Sequence, residues 1–282
     1  MNIVIDVEGT GRLVSNKNLS SLQLRVLSAS VLAPVAVAAL YLGGPYFTVF
    51  LIIAASAMCF EWCKTSFINN IPAFMGLTGF VVFVSIYLAY TGQMSGAFSV
   101  LLIGAACVLL LTWFRSGPKE WKGAFLGPLY IGVPVLSLMA LRANENDGFA
   151  LTVSLFFVVW ATDTGAYFAG RSIGGPKIAP FISPNKTWAG LIGGMICAAL
   201  VAVLSTQYLM QTDLSVIVAC VAGALLAVLA QIGDFAESGW KRYFKVKDAS
   251  NIIPGHGGVL DRLDGVLFVA PALYFMNALI GI

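Results

Sequence analysis

The chain has 282 residues, 59% of them hydrophobic and 10% charged, with a net charge of +3 at pH 7. A soluble domain is about a quarter charged, so this composition, with a mean hydropathy of +0.89, excludes an ordinary water-soluble enzyme and describes a chain solvated mostly by lipid. The 5 cysteines lie in or beside apolar runs and form no C-x-x-C pair, which argues against a zinc site or a disulfide framework.

Crossing a bilayer as a helix takes about 20 mostly apolar residues. No secretory signal peptide is read in the mixed polar and apolar tail, residues 1–25. Nine candidate spans follow: Val26–Leu42, Tyr46–Phe60, Ile71–Tyr90, Ala97–Phe114, Phe125–Leu141, Phe149–Ala169, Trp188–Met210, Leu214–Ile232 and Val266–Ile282. The expected fold is all-α and polytopic. An N-terminal region, 26–148, holds five spans; a C-terminal region, 149–282, holds four, with polar loops at 170–187 and 233–265. With the N-terminus in the cytoplasm, every one of the 16 Lys and Arg residues except Arg142 falls on the inner side, Arg12, Lys17 and Lys119 included. That imbalance supports an N-in topology with both long polar loops facing the cytoplasm.

Charge is concentrated between Gln231 and Gly265, QIGDFAESGWKRYFKVKDASNIIPGHGGVLDRLDG, which also holds His256, the sole histidine. Asp234 ends an apolar run. If the helix continues, Glu237, Ser238 and Lys241 share its face. Carboxylates at a membrane boundary are costly unless paired or bound to a cation. Asp234 and Glu237 are therefore either ion-pair partners of Lys241 and Arg242 or cation ligands. Asp261 and Asp264, spaced i and i+3, sit in the first turns of the last helix. Pro254-Gly255-His256-Gly257-Gly258 before them is a backbone-exposing loop whose N–H groups could cradle an anion. Helix capping accounts for one such Asp; it does not account for two beside a Gly-rich loop. Such hard oxygen ligands suit Mg²⁺, which binds one or two carboxylates plus phosphate oxygens. Nearby Lys and Arg would hold phosphates.

Asp163 lies inside the sixth span, where an acid signals either function or a partner on another helix. Ser183-Pro184-Asn185-Lys186-Thr187-Trp188 reads as a helix entry with Lys186 poised for an anion, or as an ordinary turn. His256 reads as a general base, a phosphate contact or a loop histidine bonded to its own backbone. There is no Walker A pattern, so a P-loop ATPase is not expected, and neither is a nucleic-acid partner.

These residues carry a family resemblance. The phosphatidate cytidylyltransferases, or CDP-diacylglycerol synthases, share the signature S-x-x-K-R-x₄-K-D-x-[GSA]-x₂-[LIF]-P-x-H-G-G-[LIVMF]-x-D-R-[LIVMF]-D. Ser238, Lys241, Arg242, Lys247, Asp248, Ser250, Ile253, Pro254, His256, Gly257, Gly258, Val259, Asp261, Arg262, Leu263 and Asp264 fill its specified positions. Asp163–Tyr167, Gly170-Arg171 and Ser183–Trp188 resemble the family's second block, with Asn185 and Ala189 where Lys and Glu are usual. The resemblance covers Trp160 onward.

It implies CMP transfer from CTP to phosphatidate, giving CDP-diacylglycerol and pyrophosphate, at a site facing the cytoplasm from the bacterial inner membrane. Mg²⁺ is implied on Asp234, Asp261 and Asp264, along with a second, monovalent cation such as K⁺ and a homodimer. Asp234, Lys241, Asp261 and His256 are the expected catalytic set. Arg171, Lys186, Ser238, Arg242, Lys247, Arg262, Gly257 and Gly258 are expected to contact substrate, with Asp163, Glu237 and Asp248 as further candidates. Two rivals remain: a CTP-dependent enzyme with another lipid acceptor, and a transporter. Polar residues clustered at one face argue against a transporter, whose polar residues line mid-membrane helices.

Overall fold

The computed structural model describes residues 21–66, 71–116, 121–210, 212 and 214–280. Among these, nine helices are long and apolar enough to cross a membrane. They are α1 (Ser21–Leu42), α2 (Gly44–Ser66), α3 (Ile71–Tyr90), α4 (Met94–Ser116), α5 (Trp121–Arg142), α6 (Gly148–Ser172), α7 (Trp188–Leu204), α8 (Val216–Tyr243) and α9 (Leu260–Ile280). Each expected span has its helix. The tail up to residue 20, with Arg12 and Lys17, and also Lys119 and the last two residues of the ninth span lie outside the described residues.

The helices outrun the apolar runs where their ends are polar but packed. α2 continues past Phe60 through Glu61, Trp62 and Cys63, all buried. α8 continues past Ile232 to Tyr243, so Asp234, Glu237, Ser238 and Lys241 stand on a helix. α9 begins at Leu260, before the apolar run that starts at Val266. The expected loop 233–265 thus shrinks to the stretch between Tyr243 and Leu260. α7 gives way at Ser205–Leu209 to one π-helical turn.

The sequence reading has no strands, but the described residues form two. β1 (Lys177–Ala179) and β2 (Ser183–Thr187) pair antiparallel within the expected loop 170–187. Gly174 and Gly175, at φ 68° and 92°, turn the chain out of α6 in a conformation that favours glycine. Trp188 N–H donates to Pro176 O at 3.1 Å, closing the hairpin against the start of α7.

α5 is the central span, with two thirds of its apolar window buried, whereas α1 lies at the edge with 11% buried. α5 packs on α2, α3, α4, α6 and α9 and so joins the two halves. Its Pro128 and Pro134 are buried; neighbouring helices make prolines tolerable in spans. The most extensive seam lies between α6 and α7. A Cβ at Gly190 would stand 2.9 Å from Ala166 O, one at Gly194 2.9 Å from Thr162 O, and one at Gly165 2.7 Å from Gly193 O. Small residues let backbones approach this closely, which is how helices gain contact in lipid.

Candidate active site

Two ionic groups form where α6, α7, α8 and α9 meet the polar connections. In the first, Lys241 on α8 donates to Asp261 Oδ1 on α9 at 2.5 Å and lies 3.3 Å from Glu237 Oε1. Asp261 Oδ2 accepts from Gly258 N–H at 2.9 Å. Both Asp261 oxygens are therefore engaged by the protein. Glu237 is 2% exposed, and Lys241 is the cation beside it. The ion-pair reading of Glu237 with Lys241 holds; Asp234 pairs elsewhere.

In the second group, Lys186, at the end of the hairpin, is ion-paired with Asp234 and sits 4.6 Å from the Phe235 ring centroid. Local structure places it: Thr187 Oγ1 accepts from Gly190 N–H at 3.1 Å as the N-cap of α7, fixing the strand just before the helix. Ser238 Oγ donates to Asp234 Oδ1 at 3.4 Å. Asp163 on α6 and Asp264 on α9 lie within electrostatic reach of Asp234 and Lys186. The close seating of Gly233 against the Asp264 backbone brings α8 and α9 together here. Among the described residues, Asp264 Oδ1 accepts only from its neighbour's N–H, Gly265, at 2.7 Å. This group has three carboxylates for one lysine. Although spaced i and i+3, Asp261 and Asp264 bond to different partners.

The Gly-rich loop corrects one expectation. His256 and Gly257 N–H donate to Ile253 O, Gly258 N–H to Asp261, and Val259 and Leu260 N–H to Glu61. The backbone cradle expected at Gly257 and Gly258 is thus filled by the protein's own acceptors. His256 bonds through Nδ1 to Ser28 Oγ on α1 at 2.7 Å, and its carbonyl accepts from Arg262 Nε and Nη2 at 2.9 and 2.7 Å. Arg25 Nε donates to Gly255 O at 2.9 Å. The loop is held from both sides, by α1 and by α9.

Not all expected residues converge. Arg171 Nη1 donates to Tyr167 Oη at 2.7 Å on the exposed side of α6. Arg242 is exposed in the last turn of α8, and Lys247 and Asp248 are exposed on the connection after it. Glu61 was missed. It is fully buried on α2 and accepts from Ser250 Oγ at 2.5 Å and from Val259 and Leu260 N–H at 2.8 Å each. In the sequence it stands three residues before Lys64 and resembles a routine surface pair. Its neighbour Trp62 stacks on Trp240 of α8, centroids 4.4 Å apart and planes 6° from parallel, and on Tyr130 of α5 at 5.0 Å.

The residues suit a hard divalent cation. Asp163, Asp234 and Asp264 supply only oxygen donors and surplus negative charge, which Mg²⁺ matches. Among the described residues, no three His, Cys, Asp or Glu side chains are gathered closely enough to hold a metal by themselves. An ion held there would have to draw the rest of its shell from substrate phosphate and water.

The fold and this site define a polytopic membrane protein with a charged cluster at one end of its helices, and the sequence comparisons make it a nucleotidyltransferase and assign its family. Residues 23–280 match the Cytidylyltransferase family, and the chain belongs to it. It is 41% identical over 267 residues to a phosphatidate cytidylyltransferase of Brucella suis biovar 1 (strain 1330), covering 93% of this chain and 95% of that relative. A protein of the same name from Rickettsia bellii (strain RML369-C) is 38% identical over 191 residues, covering 64% of this chain and 80% of its own length. One from Bacillus subtilis (strain 168) is 40% identical over 182 residues, covering 64% and 66%.

Proposed function

We propose that this chain is a phosphatidate cytidylyltransferase of the bacterial inner membrane, working at its cytoplasmic face. One observation carries the reading: a chain 41% identical to a protein of that name, nearly end to end, brings lysines and carboxylates of both signature blocks to one site.

In the reaction, an oxygen of the phosphatidate phosphate bonds to the α-phosphorus of CTP. The bond from that phosphorus to the β-bridging oxygen breaks, and pyrophosphate leaves. No covalent enzyme intermediate is needed, so the chain's work is alignment and charge neutralisation. Lys186 contacts a phosphate by exchanging part of its pairing with Asp234. Lys241, held between Asp261 and Glu237, presents its remaining proton to the triphosphate. Arg262 and Ser28 keep the His256 loop in place beside it. Asp163, Asp234 and Asp264 would hold Mg²⁺, which would neutralise triphosphate charge and stabilise the leaving pyrophosphate. The lipid tails stay in the bilayer while the headgroup reaches the polar end of the bundle.

The test is CTP consumption by purified, detergent-solubilised protein, with and without phosphatidate and with Mg²⁺ or EDTA. Pyrophosphate and CDP-diacylglycerol formed only with phosphatidate and Mg²⁺ are expected. Turnover with an isoprenoid alcohol in place of phosphatidate would reassign the acceptor.

A further inference from the structure

The N-terminus of a helix attracts an anion, because its first N–H groups lack partners within the helix and its dipole end is positive. At α9 that place is already taken. Glu61, 0% exposed, spreads its two oxygens over Val259 and Leu260 N–H at 2.8 Å and also accepts from Ser250 Oγ at 2.5 Å. Among the described residues no lysine or arginine is bonded to this carboxylate, and three donors and the helix end compensate it. The fit is close: a Cβ on Gly258 would stand 2.8 Å from Glu61 Oε1 and 2.9 Å from Asp261 Oδ2. Gly258 N–H, the next donor along, goes to Asp261, which in turn holds Lys241. Glu61 thus fixes the turn that aims Asp261.

Resting on the cytidylyltransferase reading, we propose that Glu61 is a positioning residue for the reaction, acting from the N-terminal half through the Gly258–Asp261 turn on Lys241. It touches no substrate. It sets the angle at which α9 enters and holds the Lys241–Asp261 pair in register with the Lys186–Asp234 pair. A misplacement of about 1 Å at such a point costs about 100-fold in rate. The aromatic stack from Trp240 through Trp62 to Tyr130 holds α2 at the depth this contact requires.

The deciding variant is Glu61→Gln, which keeps the shape but sets an amide N–H₂ against backbone donors. Its kcat is expected to fall about 10-fold to 100-fold, with the Trp62–Trp240 fluorescence retained. Amide exchange at Val259 and Leu260 is expected to rise. Ser250→Ala, which removes one of the three donors, should show a smaller loss in the same direction. A kcat per folded molecule equal to wild type, from a wild type that turns over CTP with phosphatidate, would overturn the proposal. A wild type inert toward CTP and phosphatidate would sink the functional reading instead. Exchange would still judge the clamp: protection at 259 and 260 lost in Glu61→Gln upholds it, and unchanged protection refutes it.

Discussion

The two ends of the helical bundle solve the same problem with different means. At the Arg142 end, one arginine suffices: its Nε and Nη2 donate to Leu40 O and Tyr41 O at 2.8 and 3.0 Å, capping α1, and its guanidinium lies over Phe149. The rest is short turns, such as Asn144 Oδ1 accepting from Asn146 and Asp147 N–H. At the other end Arg262 caps a carbonyl in the same manner, yet that end also holds the ionic groups of Lys186, Lys241, Asp163, Asp234, Glu237, Asp261 and Asp264. Helix ends need carbonyls and amides satisfied; they do not need three carboxylates around one lysine. The excess charge at one end is what a fold alone does not require, and on the proposed reading it is the active site.

The strongest way to break this contrast is at the excess itself. Asp234→Asn and Lys186→Gln should each lower CTP turnover by about 100-fold or more, measured as pyrophosphate release, while size-exclusion profiles stay monodisperse. Near-normal turnover in Asp234→Asn at limiting Mg²⁺ would remove Asp234 from the metal site. Asp261→Asn comes next. It should nearly abolish turnover and also lower stability by about 1–3 kcal/mol, since Lys241 and Gly258 N–H lose a charged acceptor; thermal unfolding in detergent measures the second effect. Trp62→Ala should act mainly on stability, by about 3–5 kcal/mol, by opening a cavity between α2, α5 and α8. The smallest effect belongs to the opposite end: Arg142→Gln should leave turnover within about 2-fold and shift only the unfolding midpoint. Comparable losses of turnover at both ends would erase the distinction.

Legibility in the sequence followed solvent. Spans announce themselves because lipid demands unbroken apolar runs, and every one of the nine expected spans has its helix. Helix ends did not, because polar residues such as Asp234, Glu237 and Lys241 continue α8 once neighbouring helices pair them. The hairpin at Lys177–Thr187 was hidden among prolines and glycines that read as loop. The signature showed Asp261 and Asp264 as a pair on one face, but only the structure separates them, one tied to Lys241 and the other bonded to Gly265 N–H within electrostatic reach of Asp234. Glu61 was illegible for a different reason. Its partners are Ser250 and two backbone amides almost two hundred residues away, and no local pattern encodes a bond to a distant amide.

The glycine seam between α6 and α7 has a mechanical consequence. Where Gly165, Gly190, Gly193 and Gly194 bring the two backbones together, there are no long side chains to swing aside. That pair of helices and the hairpin joining them form a stiff strut, carrying Asp163 and Lys186 as one piece. α1, by contrast, has 11% of its span buried, the smallest share of the nine. On the proposed reading, a widening that admits a two-tailed lipid's headgroup would fall on boundaries held by rotatable side chains, and the strut would keep its half of the ionic group in alignment.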